Sequence, residues 1–197
     1  MDDLESLPFT SVRDVVSYGD FVATFIVLSE ERGAPSSEHR LVDRRLTLRL
    51  DDVLWESGRV DVPARLELQD SGWIEVDGVE LRAVPDTELW LDVGEVYLGA
   101  FVLFEHDEYG FLSLRAVYGL DAVGRASTPE LGVVFAGMTP AQIASELALM
   151  QPDPLAAARA DLAPVARFDE VSRIRDAGLA SSVPSREDGS VASTSAP

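Results

Sequence analysis

Apolar and polar residues alternate through much of the chain, and the period of that alternation changes once. The first segment is short and helical in pattern. Ser11 is placed to cap it, Val12 to Ser17 forms its body, and Tyr18-Gly19-Asp20 breaks it. Phe21 to Leu28 is a run of aromatic and β-branched residues, too short for a buried helix, and is read as a strand covered on most sides. Ser29 to Arg40 carries Gly33, Pro35 and the serine pair Ser36-Ser37 and is read as a loop. From Arg44 to Leu54 the alternation is clear. Leu46, Leu48 and Leu50 share one face, and Arg45, Thr47 and Arg49 take the other.

Ser57-Gly58 turns the chain, and Arg65 to Leu68 resumes the alternation. Asp77-Gly78 separates two short strands, Trp73 to Val76 and Val79 to Arg82. Asp-Gly suits a two-residue type I′ hairpin with both central residues at positive φ. That register pairs Val76 with Val79 and Ile74 with Leu81 on one face. Glu75 meets Glu80 and Trp73 meets Arg82 on the other. Like charges then face each other, and an arginine nearby would relieve them. Glu95 to Glu105 is apolar on both faces, with Val96, Leu98, Ala100, Val102 and Phe104 on one and Tyr97, Phe101 and Leu103 on the other, so it needs cover on both. Gly99 within it reads as a bulge or a bend. Phe111 to Val117 returns, and Tyr118 to Val123 either extends that strand or forms a short last one ending at Gly124.

After Thr128 the period becomes helical. Thr139-Pro140 is a cap followed by proline at the first helical position, and Ile143, Leu147 and Met150 recur at helical spacing. Asp153-Pro154 opens a second short helix through about Leu162. Phe168 to Ala177 reads as a third, with Val171 and Ile174 as its apolar edge and Gly178 closing it. Ser181 to Pro197 is serine-rich without a large aromatic, and its composition predicts disorder. The expected organisation is therefore mainly β: a small antiparallel barrel with a short N-terminal helix over residues 1–127, a helical extension over 128–178 and a disordered tail over 179–197. A barrel of roughly 120–130 residues buries about two-thirds of its unfolded surface, enough for a core of its own.

Thr47-Leu48-Arg49-Leu50-Asp51-Asp52-Val53-Leu54, later Leu91-Asp92-Val93-Gly94-Glu95-Val96-Tyr97-Leu98, and then Gly137-Met138-Thr139-Pro140 make up a pattern similar to that of several uncharacterised actinobacterial families. The resemblance covers about Val12 to Met150. It implies a five-stranded barrel like the OB fold or the netrin-like and metalloproteinase-inhibitor modules. Those inhibitors ligate a metal through an N-terminal cysteine; this chain has no cysteine, so that chemistry is not carried over.

Composition narrows the function. The absence of cysteine excludes disulfides, thiolate catalysis and Cys-type zinc sites. The 197 residues carry a net charge of −19, and all 16 basic residues are arginine, a usage typical of a GC-rich genome. Such acidity opposes binding to nucleic acid or to anionic membrane. Residues 51–108 hold 16 acids against Arg59, Arg65 and Arg82, whereas residues 32–49 hold five arginines against Glu38 and Asp43. No apolar run reaches the length of a membrane span, and MDDLESLPF has neither the basic nor the apolar part of a secretory signal, so a cytoplasmic location is expected.

No nucleophile elbow, phosphate-binding loop, dinucleotide fingerprint or zinc-binding HExxH is present, and neither an enzymatic activity nor a cofactor is expected. Glu105-His106-Asp107-Glu108 is the one cluster resembling metal ligands, but neighbouring strand residues diverge, and a solvated hairpin tip is the plainer reading. Trp55, Trp73, Trp90 and Tyr97 are candidate stacking aromatics, although filling the core is the commoner role. The candidate binding residues are Arg45, Arg49, Trp73 and Trp90. The expected function is a protein-binding or scaffolding module. The alternatives are an acidic regulator that imitates nucleic acid on a basic protein surface, and an OB-like module that binds oligomers through its aromatic face.

Overall fold

A computed structural model of the chain describes residues 7–35, 41–84, 89–104, 108–113, 115–127 and 134–182. Helix α1 (Val12–Tyr18) begins at Ser11, whose hydroxyl accepts from the Asp14 amide. The strands follow as β1 (Phe21–Pro35), β2 (Leu41–Glu56), β3 (Arg65–Val76), β4 (Val79–Arg82), β5 (Val96–Leu103), β6 (Tyr109–Phe111), β7 (Val117–Leu120) and β8 (Ala126–Ser127). Helices α2 (Pro140–Leu149), α3 (Pro154–Ala157) and α4 (Pro164–Ser182) come after them. All strand pairs are antiparallel, in the order β4-β3-β2-β1-β5-β7-β8, with β6 on β5. The mainly antiparallel architecture with helices behind it is the expected one. Closure is not seen: β6 comes near β3, but no hydrogen-bonded ladder joins them.

The sheet coils around an inner core and carries a second core on its outer face. Phe21, Phe25, Val27, Leu46, Leu48, Leu66, Leu68, Tyr97 and Phe101 fill the inner one. Phe101 stacks on Phe21 at 4.8 Å and meets Phe25 edge-on at 5.5 Å, and each such ring taken fully out of water contributes about 2–3 kcal/mol. Gly99 is not a bulge, because the β1–β5 register runs through it unbroken. A Cβ there would lie 3.0–3.1 Å from the rings of Phe25, Phe101 and Phe111, so the glycine makes room for the aromatic cluster.

On the outer face Val22, Leu98, Ala100, Val102 and Tyr118 meet Val15 and Val16 of α1, Ile143 and Leu147 of α2 and Val171 of α4. The two-faced apolar pattern of β5 therefore has the double cover it required. The Tyr118 hydroxyl accepts from the Phe135 amide at 3.3 Å, and burial pushes its pKa up to about 12.

Two buried polar residues tie the elements together, one within the sheet and one among the helices. Asp20, 2 % exposed, accepts from the Leu103 amide at 2.9 Å and from Arg59 Nε at 3.1 Å, joining the start of β1 to the end of β5 and to the turn after β2. Arg167 of α4 is 1 % exposed and donates to the carbonyls of Ser17, Leu162 and Arg159 at 2.8, 2.7 and 3.2 Å. Burial, aided by nearby Arg59, lowers its pKa to about 10, so it remains charged at neutral pH. The bonds to Ser17 and Leu162 satisfy carbonyls at the end of α1 and after α3, and the Arg159 carbonyl also accepts from the Leu162 amide at 3.0 Å.

The Asp77-Gly78 hairpin has the predicted register, with φ of 52° and 77° at the two turn residues. The arginine that relieves Glu75 and Glu80 is Arg32, paired with Glu80. Phe111 to Val117 is not a single return strand, because β6 ends at Phe111 and β7 begins at Val117. Other boundaries differ from expectation as well. Ser29 to Pro35 continues β1 along β2 instead of looping, with register shifts between Val27 and Ser29 and between Arg32 and Pro35, and residues 36–40 of the expected loop lie outside the described residues. The segment from Asp153 is helical only as far as Ala157. Gly178 does not end α4, which runs on to Ser182, so residues 179–182 are helical, while the rest of the expected disordered tail lies outside the described residues.

Candidate functional site

The four residues selected from the sequence divide into two places. Trp73 and Trp90 meet edge-on, their ring centroids 5.6 Å apart at 65°. Arg45 and Arg49 are exposed on the outer surface of β2 and do not join them. Residue Arg44, one position earlier, does. It continues the leucine face of β2 and is 1 % exposed. Its Nη1 donates to Glu30 Oε2 at 2.7 Å and to the Leu91 carbonyl at 3.1 Å, and its Nη2 donates to Asp70 Oδ2 at 2.7 Å. Its guanidinium carbon lies 3.5 Å from the Trp90 ring centroid. Arg44 and Arg45 therefore lie on different faces, because adjacent strand residues point to opposite sides.

Arg82 lies 4.5 Å from the same Trp90 centroid, and Arg32 lies 5.2 Å from that of Trp73. Cation–π contact and carboxylate pairing hold these arginines in place, through Asp92 for Arg82 and Glu80 for Arg32. The indole rings are occupied by the chain's own guanidiniums, so they do not form an open platform for a stacked base. Glycine makes the cluster possible: a Cβ on Gly72 would overlap the Val42 carbonyl, and the bulge there shifts the register between Val42 and Arg44.

A more open surface lies on the outer face of the sheet. Helix α2 lies against β2, and Val96 at the start of β5 is 40 % exposed. Ile26 is the Cα partner of both Val96 and Arg49 there, so Arg49 borders apolar surface. Thr139 caps α2 in a full capping box with Gln142, which fixes where the helix lands. Between its first turns, β2 and the β7–β8 turn is a cleft of about 600 Å³. Val53, Leu54, Leu120, Val123, Pro140 and Ala144 line it, and among the described residues Asp52 is the only ionisable one in its wall. Val53 is 42 % and Val123 70 % exposed. Sequence reasoning missed this cleft because each wall comes from a different part of the chain.

Among the described residues, no group of three histidine, cysteine or acidic side chains is placed to hold a metal. Glu105, His106 and Asp107 lie outside those residues, and Glu108 is exposed. Among the described residues no helix is long and apolar enough to cross a membrane. No family model matches the chain, and neither a curated protein nor a solved structure is found to resemble it.

Proposed function

We propose that the chain is a non-enzymatic protein-binding module that takes up a partner segment in the cleft between α2, β2 and the β7–β8 turn. The observation carrying this reading is the aliphatic lining of a cleft that is half open to solvent. Exposed aliphatic surface rimmed by polar residues is the usual mark of a protein contact. The chemistry of the wall specifies the partner. It presents aliphatic side chains to Val53, Leu120 and Val123 and carries basic residues nearby, because Asp52 and the net charge of −19 favour cations.

A random peptide library selected on the immobilised chain is expected to yield aliphatic sequences with basic flanks. Ala144→Arg, which fills the cleft from the helix side, is expected to weaken the enriched peptides roughly tenfold or more. Binding through apolar contact persists at high salt, whereas imitation of nucleic acid on a basic partner is lost there. Peptides that bind Ala144→Arg as tightly as the parent chain would overturn the assignment.

A further inference from the structure

The β3–β4 hairpin carries a second exposed apolar surface, independent of the cleft. Strand β4 is at the end of the sheet order, and among the described residues no strand pairs with its outer side. All four of its residues are exposed; Val79 is 57 % and Leu81 48 % exposed, and Val76 at the end of β3 is 44 % exposed. A free edge is a template for another strand unless something opposes pairing.

We propose that β4 pairs antiparallel with β4 of a second copy of this chain, about a twofold axis at Leu81. The backbone sets which groups are available. Val76 and Val79 flank the two-residue turn and form a hydrogen-bonded pair, and such pairs alternate along an antiparallel ladder. The amides and carbonyls of Glu80 and Arg82 therefore point away from β3. The Ala83 amide, next in the alternation, donates inward to the Gly72 carbonyl at 2.8 Å, which agrees. The outward groups of Glu80 and Arg82 can bond reciprocally with those of Arg82 and Glu80 in the partner.

Charge selects the register. Side-chain faces match across a twofold only if the axis passes through a residue. An axis at Glu80 opposes two carboxylates and an axis at Arg82 opposes two guanidiniums. An axis at Leu81 sets Glu80 opposite Arg82 on both sides and brings Leu81 against its own copy, with Val79 opposite Ala83. Opposite charges across a ladder stabilise and like charges destabilise. The chain pairs of these residues, Arg32 with Glu80 and Arg82 with Asp92, lie at side chains 45–57 % exposed and leave room for a further partner. So short a ladder gives a weak, concentration-dependent dimer.

Sedimentation velocity of the full chain over a concentration series tests this. The parent chain is expected to shift from monomer to dimer. Glu80→Arg opposes guanidiniums and Arg82→Glu opposes carboxylates, and each is expected to weaken association roughly tenfold or more. An equimolar mixture of the two restores opposite charges at every pair and is expected to dimerise like the parent. Leu81→Lys, placing two ammonium groups at the axis, is expected to abolish the dimer; circular dichroism checks that each variant is folded. A parent chain that stays monomeric leaves the edge to an extended segment of another protein and overturns the proposal. So do single variants that associate as the parent does, or a mixture that stays monomeric beside a dimeric parent.

Discussion

Leu48→Asp is expected to leave the chain unfolded at room temperature, while Arg49→Asp, one residue along, melts close to the parent. Leu48 is 0 % exposed in the middle of the inner core, against Leu46, Leu66 and Leu68. A carboxyl group there has no donor to bond, and whether it ionises or protonates, its desolvation and the lost leucine contacts cost several kcal/mol. That is comparable to the whole stability of a domain, about 5–15 kcal/mol. Arg49 has a half-exposed side chain paired with Asp51, an interaction worth about 0–1 kcal/mol. Its Cα partner on β3 is Arg65, so an aspartate at this position faces a cation where the parent has two arginines opposed. Thermal denaturation of the two variants separates the faces, and equal melting temperatures would show that the assignment of β2 is wrong.

Arg44→Ala is expected to lower stability by about 3 kcal/mol, the low end of the cost of removing one member of a buried ion pair. The low end applies because the Glu30 and Asp70 side chains are 23 % and 15 % exposed and water reaches them in part. The loss combines two carboxylates left facing each other, an unpaired Leu91 carbonyl and a bare face on Trp90. Arg44→Lys keeps the charge, but a single ammonium cannot bridge both carboxylates and cover the ring; it is expected to lose about half as much. Arg45→Ala is exposed and changes stability by less than about 0.5 kcal/mol. Urea unfolding with a common slope measures all three, and an Arg44→Ala midpoint equal to that of Arg45→Ala overturns the structural role given to Arg44.

The contrast between Arg44 and its neighbours shows where sequence pattern suffices. The Asp77-Gly78 register, the faces of β2 and β5 and the cap at Thr139 follow from residues within a few positions of each other. Local sterics and period decide them, and all are legible. Arg44 lies on the leucine face by the same period, but its charge argued for solvent. The partners that allow its burial, Glu30 and Asp70, are 14 and 26 residues away, beyond any local pattern. Gly33 and Pro35 gave Ser29 to Pro35 the look of a loop. The strand continues because β2 extends far enough to pair with it, out to Pro35 against Val42. The tryptophan pair was visible as two candidates, but the arginines that occupy the rings come from three separate strands. Arg49 does not join the tryptophans and is set instead beside Ile26 on the outer face.

Strands β1 and β5 form a wall of both cores. Phe21, Phe25 and Val27 face inward while Val22 faces the helices, and Tyr97 and Phe101 face inward while Leu98, Ala100 and Val102 face the helices. An opening that frees an amide between these two strands has to part the aromatic cluster and lift the helical cover in the same event. Hydrogen exchange of the amides from Phe21 to Ile26 and from Leu98 to Phe101 is accordingly expected to occur only with global unfolding and to change with denaturant at the full slope. The outward amides of Glu80 and Arg82, with no such cover, exchange near the rate of an unstructured peptide in the monomer. The sheet thus grades from one cooperative block at its centre to a fringe at β4 that opens alone.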